Sequence, residues 1–238
     1  MLAKVFSGAV FGVDAFEVEI EVNAAKGEMV IVVVGLPDTA VKESKDRVTT
    51  AVANSGFYWP RGRTTINLAP ADVKKEGPSF DLPIALGMIS CAQEQVLQNA
   101  DEFCFLGELA LTGAVRPVRG VLPVALEARR RGRSKLVVPA ANAREAAMVS
   151  GIEVYGVQNL REAYEFLTGE KTLTPVKEDL SDFFARHQDY DLDMADVRGQ
   201  YQVKRAVEVA VAGGHNLLMS CQITPPSTLA RQRHPETH

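Results

Sequence analysis

Asp72-Val73-Lys74-Lys75-Glu76-Gly77-Pro78-Ser79-Phe80-Asp81-Leu82-Pro83-Ile84-Ala85-Leu86 is a charged loop that runs directly into an apolar segment. From Phe80 to Ala92 the apolar residues fall on every helical face rather than on one stripe, which predicts a helix buried on all sides. Ser79 stands where such a helix takes its cap, a hydroxyl accepting from the first-turn amides. The same hydroxyl is a candidate nucleophile if a base lies within reach. Neighbouring Lys74 and Lys75 sit on the serine's own loop.

The elements upstream frame this helix. After Met1-Leu2-Ala3-Lys4 the chain enters an alternating pattern at once. Between Ala15 and Val22, Phe16, Val18, Ile20 and Val22 alternate with Glu17, Glu19 and Glu21, so this strand has one wet face. Met29 to Val34 is a continuous β-branched run, read as a central strand buried on both faces. Gly35-Leu36-Pro37-Asp38 breaks it, and Asp38 or Thr39 caps a helix with Val41, Val48 and Val52 on one face. Lys42 with Asp46, and Glu43 with Arg47, are spaced for ion pairs on that helix. Thr64 to Leu68 is a further strand.

Downstream the pattern predicts a strand over Phe103 to Leu111, a turn at Thr112-Gly113, and a helix from Val121 to Arg131 carrying Val124, Leu126 and Ala128. A strand at Lys135 to Val138, a helix over Ala140 to Val149, a strand at Ile152 to Gly156 and a helix at Leu160 to Leu167 complete an α+β domain over residues 1–168. Residues 169–193 are polar and acidic apart from Phe183-Phe184 and read as a linker, with one short helix at most. Residues 194–238 form a second segment: a helix over Tyr201 to Ala212, stopped by Gly213-Gly214, then a strand starting at Asn216 to Met219.

Of the 238 residues, 46% are hydrophobic and 24% charged, enough for a core, and a net charge of −4 argues against wholesale attraction to nucleic acid. Cys91, Cys104 and Cys221 have no CxxC spacing, so neither a disulfide framework nor a zinc site is expected, and a reducing cytoplasm fits. The His234 and His238 pair is read as no metal site, because Pro235 interrupts the helix that would align it. No signal segment precedes the first strand, and Met29 to Leu36 is too short to span a bilayer, so no membrane association is expected.

Two places carry chemical information. Lys-x-Gly-Pro-Ser ahead of a buried helix resembles the serine loop of Lon-type proteases. Gly35-Leu36-Pro37-Asp38, Asn67-Leu68-Ala69-Pro70-Ala71-Asp72, Leu106-Gly107-Glu108-Leu109-Ala110-Leu111-Thr112-Gly113 and Arg116-Pro117-Val118 together resemble the N-terminal domain of the ComM/YifB Mg-chelatase-like family and the Lon-like domain of the RadA repair protein. The resemblance implies a Lon-protease-like, ribosomal S-five domain-two-like fold. In Lon-type sites a lysine near the start of the helix after the Thr-Gly hairpin serves as base. The corresponding position here is Leu122, which accepts no proton, so Ser79 is expected to be vestigial and the site non-catalytic.

The second place is Asp196-Val197-Arg198-Gly199-Gln200 with Gln202, Lys204, Arg205 and Ala206, which resembles the start of an AAA+ module. The resemblance implies that Val197, Gly199 and Gln200 lie beside an adenine. Gly213-Gly214-His215-Asn216-Leu217-Leu218-Met219 resembles the strand that feeds a phosphate-binding loop. Such a loop needs glycines to converge amides on phosphate, a lysine and a hydroxyl for magnesium. Ser220-Cys221-Gln222-Ile223-Thr224-Pro225-Pro226-Ser227-Thr228-Leu229-Ala230 contains no glycine and no lysine, and its two prolines lack N–H donors. The abrupt departure after Met219 is read as a frameshifted or truncated reading of a longer protein, or as a short paralogue.

Full-length relatives are, by the same resemblance, ring-forming ATPases that use ATP and magnesium, and ComM-type members act as helicases on branched DNA during natural transformation. This chain is therefore expected to be a non-catalytic domain without ATPase activity and without a cofactor of its own. A stand-alone DNA- or protein-binding module is the alternative, with a Lon-like peptidase behind it. Arg129, Arg130, Arg131 and Arg133 are candidate DNA-backbone contacts, or solvated charges opposing a helix dipole. Tyr58 and Trp59 beside Arg61 and Arg63 are either base-stacking groups or a half-buried aromatic pair.

Overall fold

A computed structural model describes residues 1–97, 99–178 and 194–220. The chain divides into two units, Met1–Phe184 and Ala185–His238.

The first unit is mixed α/β. β1 (Leu2–Phe11), β2 (Asp14–Ala25), β3 (Val30–Val34) and β4 (Arg63–Ala69) form a four-stranded sheet in the order β1-β2-β4-β3. β1 and β4 flank β2 antiparallel, and β3 runs parallel to β4. A second, wholly parallel sheet has the order β5-β8-β9, from Phe103–Phe105, Lys135–Pro139 and Glu153–Val157. β6 (Glu108–Leu109) and β7 (Val115–Arg116) make a small hairpin around the Thr112-Gly113 turn.

The alternation in β2 works as its pattern requires. Val18, Ile20 and Val22 are wholly buried, while Glu17, Glu19 and Glu21 face outward and take Arg133, Lys4 and Asn67 as partners. Helix α1 (Thr39–Asn54) buries Val41, Val48 and Val52 on the sheet. Its cap is Asp38, whose Oδ1 accepts from the Val41 amide at 2.7 Å and whose Oδ2 accepts from the Gly77 amide at 3.1 Å. One carboxylate thus ties the start of α1 to the serine loop. Gly35 makes the approach possible: a Cβ there would lie 2.1 Å from the Leu68 carbonyl oxygen, and its φ of +98° suits glycine.

Helix α2 (Asp81–Gln93) is the centre of the unit. Every residue from Asp81 to Cys91 is buried. Leu82, Ile84, Leu86, Met88 and Ile89 are each worth about 1.5–3 kcal/mol of burial, which outweighs a missing side-chain cap of about 1 kcal/mol. Gly87 lets the helix lie flat on the sheet, since a Cβ would come within 2.7 Å of Val22 Cγ2. Helices α3 (Val121–Arg130), α4 (Ala143–Ala146) and α5 (Leu160–Thr168) complete the unit, with α3 and α4 covering a second apolar cluster against β8 and β9. Gly169 ends α5 in the left-handed region. The chain beyond stays against the unit as far as it is described: Leu173 packs on the core, the Val176 amide donates to the Val154 carbonyl, and Glu178 pairs with Arg144.

Several expectations change. Val30–Val34 is an edge strand, not a central one, and Met29 is 62% exposed. β-branched residues report backbone preference and say nothing of how many neighbours a strand will have. The expected strand over Phe103 to Leu111 is two strands in different sheets. The break falls at Gly107, where a Cβ would meet Val115 at 2.8 Å and Leu82 at 3.2 Å, and where the Gly107 carbonyl accepts from the Leu82 amide. Leu126, placed with the core of α3, is exposed. Only Ala143–Ala146 of the Ala140 to Val149 segment is α-helical. Asn142 binds both backbone groups of Val118 at 3.0 Å and holds the preceding turn apart from it. Arg47 does not pair with Glu43 but reaches Asp81.

The second unit is described over residues 194–220 and contains a short turn at Met194–Asp196 and helix α6 (Tyr201–Gly213), closed by Gly214 in the left-handed region. The expected strand at Asn216 to Met219 has no regular structure, because a strand exists only through a ladder and no described strand pairs with it. The Phe183-Phe184 segment, the short linker helix and the His234/His238 tail lie outside the described residues.

Asp38→Ala removes two hydrogen bonds from one carboxylate and is expected to cost about 1–2 kcal/mol, with Asp38→Asn recovering part of the loss. Urea unfolding of the two variants checks this.

Candidate functional site

Gly77, at φ 85° and ψ 170°, turns the serine loop into a single 3-10 turn, Pro78–Phe80, which leads straight into α2. Phe80 already has helical dihedrals, so Ser79 does not occupy an N-cap geometry and its hydroxyl makes no cap hydrogen bond. The capping role expected of it is corrected. The start of α2 is satisfied from elsewhere: the Leu82 amide donates to the Gly107 carbonyl at 3.0 Å, and the Gly107 amide donates to the Ser79 carbonyl at 2.9 Å.

Ser79 lines a cleft of 570 Å³ with Glu76, Glu108, Arg119, Gly120 and Val124. The walls meet through glycines. A Cβ on Gly8 would strike Val124 Cγ1 at 2.4 Å, and one on Gly120 would strike Val10 Cγ2 at 2.3 Å. No lysine or histidine lines the cleft among the described residues. Leu122, on the first turn of α3, packs against the second apolar cluster and is not a lining residue. Lys75 is buried and donates to the Val73 carbonyl at 2.7 Å. Burial pushes its pKa down, but it does not line the cleft.

Behind the serine loop sits a buried carboxylate that the sequence reading passed over. Asp81 accepts from Arg47 Nε at 2.9 Å, from the Ser44 hydroxyl and from the Leu109 amide at 3.2 Å. Burial pushes its pKa up, and these donors offset the shift only in part. An isolated buried acid in the first turn of α2, with Ser44 and Arg47 three residues apart on α1, was the available signal.

The basic run is committed inside the molecule. Arg130 and Arg131 both pair with the buried Glu127, at 2.6 and 2.8 Å. Arg129 donates to the Ser150 carbonyl at 2.9 Å. Arg133 grips both carboxylate oxygens of Glu17 at 2.8 and 3.0 Å, donates to the Asp101 carbonyl and lies 3.5 Å above the Phe6 ring. Burial pushes the Glu127 carboxyl up, but hydrogen bonds from Arg131 and Arg130 outweigh this and hold it below its ordinary 4.5.

Tyr58, Trp59 and Arg61 form a ridge between two clefts, of 590 Å³ and 420 Å³. Val197, Gly199 and Gln200 are exposed residues just ahead of α6. Gly199 and Gln200 have positive φ, and the Gln200 carbonyl accepts from the Lys204 amide at 2.9 Å. Cys104 is buried, which pushes its thiol up to about 12. Among the described residues no cluster of acids, cysteines and histidines could hold a metal ion, and no helix is long and apolar enough to cross a membrane.

A family model described as subunit ChlI of Mg-chelatase matches residues 20–142, more than half the chain, and a second, described as magnesium chelatase, subunit ChlI, matches residues 193–233. Competence protein ComM of Haemophilus influenzae is 42% identical over 231 residues, 95% of this chain and 44% of that protein. The chain belongs to the ComM/YifB-type Mg-chelatase-like family. YifB of Escherichia coli is 41% identical over 227 residues, again 95% of this chain and 43% of the relative. The chain thus spans less than half the length of these curated relatives. Lon protease 2 of Bacillus subtilis is 25% identical over 175 residues, 66% of this chain and 31% of that protein.

Because Arg133 is 15% exposed and Arg130 74%, the two should separate sharply. Arg133→Ala leaves Glu17 unpaired and is expected to cost about 2 kcal/mol, whereas Arg130→Ala stays within about 0.5 kcal/mol. Chemical denaturation decides between them. Glu127 has a folded pKa below its unfolded value, so its pairs stabilise the fold above the ordinary glutamate range, and that stability is lost as pH falls through the folded pKa. Glu127→Gln should therefore lower the Tm at neutral pH, with the gap to wild type closing on acidification.

Proposed function

We propose that this chain is the non-catalytic N-terminal portion of a ComM/YifB-type ATPase that works in DNA processing, with a Lon-protease-like domain serving as scaffold. The carrying observation is the cleft at Ser79: its hydroxyl has no lysine or histidine across from it, and the family's base position is taken by Leu122, turned into the apolar cluster. A serine without a lysine or histidine base beside it is a poor nucleophile at neutral pH. The similarity to a Lon protease supports the fold, and the similarity to a competence protein supports the role in DNA processing.

Residues 194–238 correspond in this reading to the beginning of an AAA+ module, with Val197, Gly199 and Gln200 beside the adenine. The segment after Asn216 has neither glycine nor lysine to cradle a triphosphate, so the 238 residues hydrolyse no ATP by themselves. ATP, magnesium and a homo-oligomeric ring belong to the longer relatives. The working compartment is the cytoplasm, where free buried thiols such as Cys91 and Cys104 persist.

The purified chain is expected to release no phosphate from Mg-ATP above the blank and to cleave no casein. Ser79→Ala should change its stability by less than about 0.5 kcal/mol, since the hydroxyl makes no described hydrogen bond. Turnover of either substrate that Ser79→Ala or ATP-site competitors abolish would overturn this reading.

A further inference from the structure

Exposed aromatic rings beside unpaired cations are the two halves of a binding surface for unpaired nucleotides, because bases stack on rings while phosphates pair with guanidinium and ammonium groups. The first unit brings them together around Tyr58. Tyr58 is 76% exposed, and half-buried Trp59 lines the clefts on both sides of it. Arg61 also lines both clefts, Lys26 lines the larger and Met29 the smaller. Arg63 pairs in register with both Ala25 and Val30, at the end of the sheet where Lys26 leaves β2. Gly62, at φ +121°, presses these segments together: a Cβ there would stand 2.4 Å from the Ala25 carbonyl oxygen and 3.3 Å from the Gly27 nitrogen.

Charge commitment distinguishes this surface from the arginine run. Arg129, Arg130, Arg131 and Arg133 all bond within the molecule. Lys26, Arg61 and Arg63 are exposed, and their side chains form no ion pair or hydrogen bond among the described residues. Nearby acids are Glu28, two residues after Lys26, and Glu94, which lines the larger cleft. A solvent-facing tyrosine ring flanked by three free cations has no structural purpose of its own in the fold.

We infer that the Tyr58–Arg63 ridge, with Lys26, binds single-stranded DNA by stacking bases on Tyr58 and Trp59 and pairing phosphates with Lys26, Arg61 and Arg63. Unpaired strands fit because base faces are hidden in a duplex. Only the choice of DNA rests on the proposed role in DNA processing.

Trp59 is the chain's only tryptophan, so its emission reports this surface directly. The full chain is titrated with a short oligo-dT, following Trp59 emission and, with a labelled strand, anisotropy. Saturable quenching is expected. Tyr58→Ala should weaken binding at least about fivefold. Arg61→Ala or Arg63→Ala should each reduce the slope of log K against log salt by about 0.7, and Arg130→Ala should leave it unchanged. Circular dichroism melts confirm that the variants fold. Anisotropy change without quenching, or binding lost with Arg130→Ala but not with Tyr58→Ala, overturns the surface and leaves the DNA-processing reading standing. No binding by either signal overturns the surface, while the scaffold reading, which asks no DNA contact of this chain, stands. Equal quenching by duplex DNA overturns the strand preference, and equal quenching by poly-glutamate marks a docking site for acidic protein and overturns the proposal.

Discussion

A carboxylate at the head of a wholly buried helix must be met by donors, and Asp81 is met by three donors from two elements. Arg47 and Ser44 come from α1, and the Leu109 amide comes from the β6–β7 hairpin. This one group fixes the rotation of α2, the helix at the centre of the larger apolar cluster of the first unit. Turning α2 by one residue would put a methylene where Asp81 now sits and leave Arg47 without its carboxylate partner. The serine loop, the Gly107 break and the hairpin take their positions from that choice.

Much of this was legible in the residues. The burial of α2 follows from apolar side chains on all faces, the cap at Asp38 from its place before a periodic stretch, and the wet face of β2 from alternation. What stayed hidden depends on neighbours far along the chain. Arg133 finds Glu17 across 116 positions, and no local pattern chooses that partner over a phosphate. The edge position of β3 was hidden for the same reason: strand order is set by connections, not by the composition of one strand. At the candidate site, the pairing of serine and lysine positions could be tested by alignment of motifs, but the failure of Ser79 to cap α2 came from the backbone of Pro78–Phe80, which a serine's preference for caps does not reveal.

The shape of the Ser79 cleft rests on packing rather than on side-chain chemistry. Its walls are held by backbone approaches at Gly8 and Gly120 and by the Ser79–Gly107–Leu82 ladder, none of which needs a proton to move. Such walls are held by packing alone. The fold therefore supplies a rigid frame around the cleft.

β3 has a consequence for how the protein behaves in quantity. Met29 to Leu36 carries no charge and no bulge, and the outer side of β3 has no described strand beside it. Such an uncapped rim is a template onto which identical chains can add, rung upon rung. Overproduced material should then be limited less by the melting of the core than by sideways growth of the sheet. Whatever normally shields that rim acts, in effect, as a solubility factor.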